Sequence, residues 1–209
     1  MNEITKLLYW ISTGLLIPVI VLLLFFFIRS LLLIGAFYGM YMNKLRFNKK
    51  FKGILDNLTA ANINDQMQSL PQKSTLLIAT FLNRIMRVIP EKVYYDKTLN
   101  DYEIACQKDL SGSQTLAKLG PVLGLMGTLI PMGPALVGLA AGDIESMAVN
   151  MQVAFSTTVI GLFTGAVGFI ILQIKKRWYA ADLNNLEFVS ELLKKSIDAK
   201  QAEKEKQLV

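Results

Sequence analysis

Two apolar stretches, residues 120–142 and 147–173, carry hydroxyl side chains where a lipid-facing helix would favour leucine: Thr128 in the first, and Ser156, Thr157, Thr158 and Thr164 in the second. A hydroxyl at membrane depth needs a partner inside the protein, so these helices are expected to face other helices or a hydrated path. Hydroxyls can line a proton's route or replace water around Na⁺, but they cannot relay a proton as a carboxylate does. Neither stretch holds a charge, and the nearest acids are Asp109, Asp143 and Glu145 outside them. The chain has no histidine and a single cysteine, Cys106. A histidine metal site, a histidine general base, a Cys-rich zinc pattern and an intrachain disulfide are therefore excluded. Serine and threonine alone make no activated nucleophile, which argues against an enzyme, and no cofactor is expected.

At 100° per residue, Thr157 and Thr164 share a helix face with Gly161 and Gly168, while Thr158 points about 100° away, beside Gly165. One strip can thus pack closely while its neighbour offers hydroxyls to a lumen. The competing reading has each threonine bonding the carbonyl one turn earlier in its own helix. Gly120/Gly124, Gly138/Gly142 and Gly161/Gly165 have the spacing that lets helix backbones approach, with Gly127 and Gly168 close by. They fit packing within a subunit or between subunits. Pro121 suits the first turn of a span. Pro131 and Pro134 lie deeper and are expected to kink or locally unwind the helix.

The elements that must hold these residues are membrane helices. Hydrophobic residues make up 53% of the 209 and charged ones 18%, a balance that favours a membrane protein. The net charge of +6 does not indicate nucleic acid, because the cations sort by membrane side rather than into an aromatic-interleaved patch. An apolar run over 7–42, broken only by Arg29, gives the first span up to residue 28 and an interfacial continuation. It is too long for a signal h-region and lacks a cleavage pattern, so a retained helix is expected. Lys44, Arg46, Lys49, Lys50 and Lys52 follow it, and Lys175, Lys176 and Arg177 follow the third span. The turn between the second and third spans has no cation. The positive-inside rule then predicts three spans with the N-terminus outside and the C-terminus cytoplasmic.

The expected division is 1–43, first transmembrane helix with its continuation; 44–114, cytoplasmic helical segment; 115–141, second span; 142–146, external turn; 147–174, third span; and 175–209, cytoplasmic C-terminal helix. Within the cytoplasmic segment, residues 75–89 are too short and too polar to span, with Asn83, Arg84 and Arg87 among the apolar residues. They predict an amphipathic helix covering a cytoplasmic surface, bracketed by Pro71 and Pro90. A polar helical stretch over 94–111 leads into the second span. Leu183, Leu186, Val189, Leu192, Leu193 and Ile197, mostly three or four apart, form one helical face in the tail, and no glycine or proline separates the tail from the third span. One long helix is expected there, fraying over 199–209.

Pro121, Gly124, Gly127 and Thr128 spell P-x-x-G-x-x-G-T, and residues 158–162 spell T-V-I-G-L after Ala154 and Phe155. This resembles the MotA/TolQ/ExbB proton channel family, whose second span carries P-L-L-G-L-L-G-T and whose third carries a T-A-I-G-L type motif. The three-span layout is closest to the ExbB and TolQ branch. The resemblance implies an all-α membrane protein in a homo-oligomeric ring, typically of five subunits, in the cell's inner membrane. It also implies a single-span partner of the ExbD, TolR or MotB kind, whose membrane aspartate carries the ion. Thr128 and Thr158 match the threonines that line the ion's path in the family, and Pro121 matches its cytoplasmic-end proline. The ExbB and TolQ branch often has a glutamate five residues before the second threonine; here that position is Val153, beside Gln152.

The leading expectation is a ring subunit of an ion-driven motor, with the proton or Na⁺ as coupling ion and Ser156, Thr157 and Thr164 as further path residues. The alternative is a non-conducting oligomeric scaffold or sensor, which needs no hydroxyl-lined face.

Overall fold

The computed structural model describes residues 3–55, 76–87 and 92–207, and among these every regular element is a helix. In chain order they are α1 (Glu3–Gly14), α2 (Leu16–Leu55), α3 (Leu77–Arg87), α4 (Lys92–Ala140) and α5 (Ile144–Gln207). Three helical stretches are long and apolar enough to cross a membrane: Lys6–Leu55, Val93–Ala140 and Ile144–Asp198.

The N-terminal apolar run is not one helix. Leu15 is a turn, its amide shared between the carbonyls of Ile11 and Ser12. Gly14 and Pro18 account for the break: Pro18 has no N–H to donate to the Gly14 carbonyl, and its ring crowds that carbonyl. From Leu16 the second helix runs unbroken through the basic stretch to Leu55.

The long helices α4 and α5 are joined more tightly than the expected five-residue turn. Gly142 adopts φ 75°, the left-handed conformation that glycine reaches without steric cost. The Asp143 amide bonds back to the Gly138 carbonyl at 2.9 Å, closing the C-terminus of α4. Asp143 then caps α5 by accepting the Ser146 amide at 3.0 Å on its carboxylate. Residues 144–146 therefore belong to the first turn of α5. Pro121, Pro131 and Pro134 all lie inside α4, which is helical throughout. The local unwinding expected at Pro131 and Pro134 does not occur.

The chain forms two compact units, Met1–Ala36 with Ser111–Gln173, and Phe37–Leu110 with Ile174–Val209. The first unit has a small apolar core in which Val19, Leu23 and Phe26 of α2 meet Leu116 and Leu123 of α4. The second has a larger core in which Phe47 and Phe51 of α2, Tyr102 of α4, and Leu186 and Val189 of α5 cluster with the apolar face of α3. Leu76, Ile78, Leu82 and Ile85 are buried there. One face of the amphipathic segment thus lines this core, while Thr80 and Arg84 on its other face are exposed. Pro71 and Pro90, expected to bracket it, lie outside the described residues. The tail is continuous with the third apolar stretch as one helix, which persists to Gln207 where fraying was expected.

Candidate functional site

The hairpin of α4 and α5 in the first unit is joined along its glycines. A Cβ added to Gly161 would lie 2.6 Å from the Gly124 Cα and 2.7 Å from the Gly120 carbonyl oxygen. One on Gly165 would meet the Pro121 ring at 2.5 Å, and one on Gly168 the Ala117 nitrogen at 2.5 Å. Gly127 abuts the Thr157 side chain, with a Cβ there 2.6 Å from Oγ1. Gly120, Gly124, Gly127, Gly161, Gly165 and Gly168 therefore form the seam between two helices of one subunit. Small residues permit this approach because no side chain separates the backbones. Gly133, by contrast, has open space where its Cβ would be.

Thr157 and Thr164 belong to the packed interior, 5% and 1% exposed. The Thr157 hydroxyl donates to the Val153 and Ala154 carbonyls at 3.0 and 2.9 Å. Thr164 Oγ1 and Ser113 Oγ are buried hydroxyls without a hydrogen-bond partner among the described residues. The others donate within their own helices: Thr128 to Leu125 at 2.7 Å, Ser156 to Gln152 at 2.8 Å and Thr158 to Ala154 at 3.2 Å. With their protons so engaged, these three hydroxyl oxygens can offer only acceptor capacity to anything beside them.

Helix geometry decides which flank each side chain occupies. On α4, Leu116, Leu123 and Ile130 lie to one side of the glycine seam and pack against α2. Thr128, one residue past Gly127, falls on the other side. On α5, Ile160 lies on the side that meets the first-helix core, and Phe163 contacts Phe27 at 5.7 Å. Thr158, one residue past Thr157, again falls on the other side. In an antiparallel pair, the same step past the seam on both helices leads to the same flank. Thr128 and Thr158 therefore share the flank of the hairpin opposite α2, at the level where Gly127 meets Thr157. Both are half-buried, and the flank around them is apolar and open, with Leu125, Phe155 and Leu162 exposed. Pro121 stands on this flank nearer the end of the hairpin that meets Gly165. Val153 and Gln152 lie one turn before Ser156 and Thr157, and neither supplies a carboxylate.

The second unit contains charges that periodicity alone did not single out. Lys44 and Asp182 form an ion pair with both side chains 5% exposed, and the Tyr102 hydroxyl donates to Asp182 at 3.4 Å. Burial raises the Asp182 carboxyl above its usual range, against the opposing pull of Lys44. Asp109 accepts from Lys175 at 2.8 Å and from the Tyr179 hydroxyl at 2.5 Å. The available signal was register: Asp182 lies four residues before Leu186 and seven before Val189, on the buried face of the tail.

Residues 91–188 match the family model of the MotA/TolQ/ExbB proton channel family. The resemblance carried by the two threonine motifs is thereby shown over that stretch. The chain matches no curated protein.

Proposed function

With residues 91–188 matching the MotA/TolQ/ExbB proton channel family, we propose that this chain is the ring subunit of an ion-driven membrane motor. In this reading several copies, typically five in the family, enclose a single-span partner of the ExbD, TolR or MotB kind. The partner supplies a membrane aspartate, and its protonation beside Thr128 and Thr158 is coupled to movement of ring against partner. The chain lies in the inner membrane, as the family likeness implies, with its N-terminus outside and its C-terminus in the cytoplasm, following the distribution of its cations.

The observation that carries this reading is the shared flank of Thr128 and Thr158. The first helix covers one side of the hairpin and the glycine seam joins its two halves, so the side left for another chain is the one that holds both motif threonines. Their oxygens are acceptors, which suits a neutral carboxylic acid as donor. No titratable group lies between residues 120 and 142 or between 147 and 173. A carboxylate must then come from the partner, since ionisable groups at this depth are costly and serve ion pathways.

The test is purification of the full chain with any small single-span protein that accompanies it, followed by reconstitution. Thr158→Val should remove partner-dependent ion flux while the complex keeps its mass in gel filtration. Normal flux in that variant would refute the role given to Thr158. The scaffold reading has its own support, because the hydroxyls of Thr128 and Thr158 are already satisfied by carbonyls in their own helices. Full activity after combined Thr128→Val and Thr158→Val replacement, with a stable oligomer that lacks a single-span companion, would favour it.

A further inference from the structure

A groove of about 490 Å³ opens in the second unit between α2 and α5, within the size range of small-ligand clefts. At its floor lies the buried Lys44–Asp182 pair, in which each charge neutralises the other, and Asp182 is the one acid among the lining residues. The walls are polar: Asn48 and Lys52 come from α2, and Asn184 and Asn185 from α5. Arg177 stands four residues before Ala181, one turn up the same face of α5, and adds an exposed guanidinium at the other end of the groove. None of these three amides and two cations makes an ion pair or a hydrogen bond among the described residues.

The level of the groove is fixed by aromatic rings. Phe37 stacks on Trp178 at 5.5 Å, and Tyr41 packs against the same ring at 5.7 Å. A cluster of this kind at the end of two apolar stretches marks a membrane interface. The two helices run in the same direction here, since Tyr41 meets Trp178 and Lys44 meets Asp182. Asp182 lies four residues past Trp178 and Asn185 seven, about 6 and 10 Å along the axis. Headgroups fill about 5–7 Å on each side of the hydrocarbon core. The end of the groove that holds Arg177 and Trp178 is therefore at headgroup depth, and the amides and Lys52 follow just beyond it.

Resting on the three-span orientation given above, we propose that this groove binds the headgroup of an anionic phospholipid from the cytoplasmic leaflet. With its floor pair neutral, Lys52 and Arg177 give it a positive balance, which favours an anionic headgroup over a zwitterionic one. The guanidinium can grip two phosphate oxygens, and the side-chain amides donate to the oxygens that remain. A lipid held there ties the tail of α5 to α2 at the membrane edge.

The test uses the full chain in detergent micelles with Trp10→Phe, which leaves Trp178 as the only tryptophan and its emission as the readout. The probes are dihexanoyl phosphatidylglycerol, dihexanoyl phosphatidylcholine and inorganic phosphate. Phosphatidylglycerol should change Trp178 emission saturably at concentrations where phosphatidylcholine has no effect. Lys52→Gln with Arg177→Gln should weaken that binding roughly 25-fold, about fivefold for each cation, while Lys52→Arg leaves it unchanged. Equal responses to the two lipids, or full binding in the double variant, would overturn the site. Displacement of phosphatidylglycerol by an equal concentration of inorganic phosphate would overturn the lipid as occupant in favour of a soluble phosphate. Orientation is checked separately with Lys52→Cys in a Cys106→Ser background: a membrane-impermeant maleimide should label inside-out vesicles and not intact cells. Labelling of intact cells would overturn the orientation and the cytoplasmic leaflet with it, an outcome distinct from failure of the groove because the micelle titration is blind to sidedness.

Discussion

At Gly161 an added methyl group would be 2.6 Å from a backbone carbon of the facing helix, which cannot rotate aside. Gly161→Ala should therefore destabilise the first unit by about 1–3 kcal/mol, the usual cost of overpacking, measurable as a lower unfolding midpoint in detergent. Gly133→Ala, with nothing within 4 Å, should be neutral or stabilising by up to about 1 kcal/mol through helix propensity. Equal losses at the two positions would contradict the seam. Cys106 presents a different constraint. Burial pushes its thiol up to about 11, so almost no thiolate exists at pH 8. Iodoacetamide should leave Cys106 unmodified in the folded protein and label it on unfolding, as read by intact mass. Because the folded state holds this proton more tightly than the unfolded one, its contribution to stability is full below the ordinary value of 9.0 and is lost as pH rises through about 11. Thermal midpoints should accordingly fall between pH 8.5 and 11, and less so for Cys106→Ser.

Within the second unit, the buried Lys44–Asp182 pair links α2 to α5. Removing one charge leaves the other buried and unpaired. Asp182→Ala should cost about 3–5 kcal/mol, whereas the double change Lys44→Met with Asp182→Leu should recover most of that loss. Chemical denaturation of the three proteins checks this, and equal stability of the single and double variants would remove the pair's importance. The element boundaries show which signals are local. The break at Leu15 follows from Gly14 and Pro18, and the hinge of the hairpin from Gly142 and Asp143, all readable as turn and cap residues. The place of α3 was less accessible. An amphipathic pattern states that one face is apolar, not which helices that face will meet: Ile78 and Ile85, each only 1% exposed, join a core with residues of α2, α4 and α5.

For the whole molecule, the sequence determined the three membrane-length apolar stretches, the cations that follow the first and the third, the absence of any in-span acid, and the two threonine motifs. Each follows from composition, or from spacing along a single helix, and needs no knowledge of what touches what. Tertiary structure decided how the hydroxyls divide. Thr157 and Thr158 are adjacent in the chain, yet Thr157 is sealed against Gly127 while Thr158 stands on the flank opposite the first helix. It also decided that the glycine ladder joins α4 to α5 within one subunit, a choice that small-residue spacing leaves open because close approach looks the same on either kind of neighbour. Asp182 became the partner of Lys44 only on folding, across 138 residues. The physical reason is common to all three. Periodicity fixes the direction of a side chain about its own axis, and only packing against other helices determines whether that direction leads to a seam, a core or an open flank.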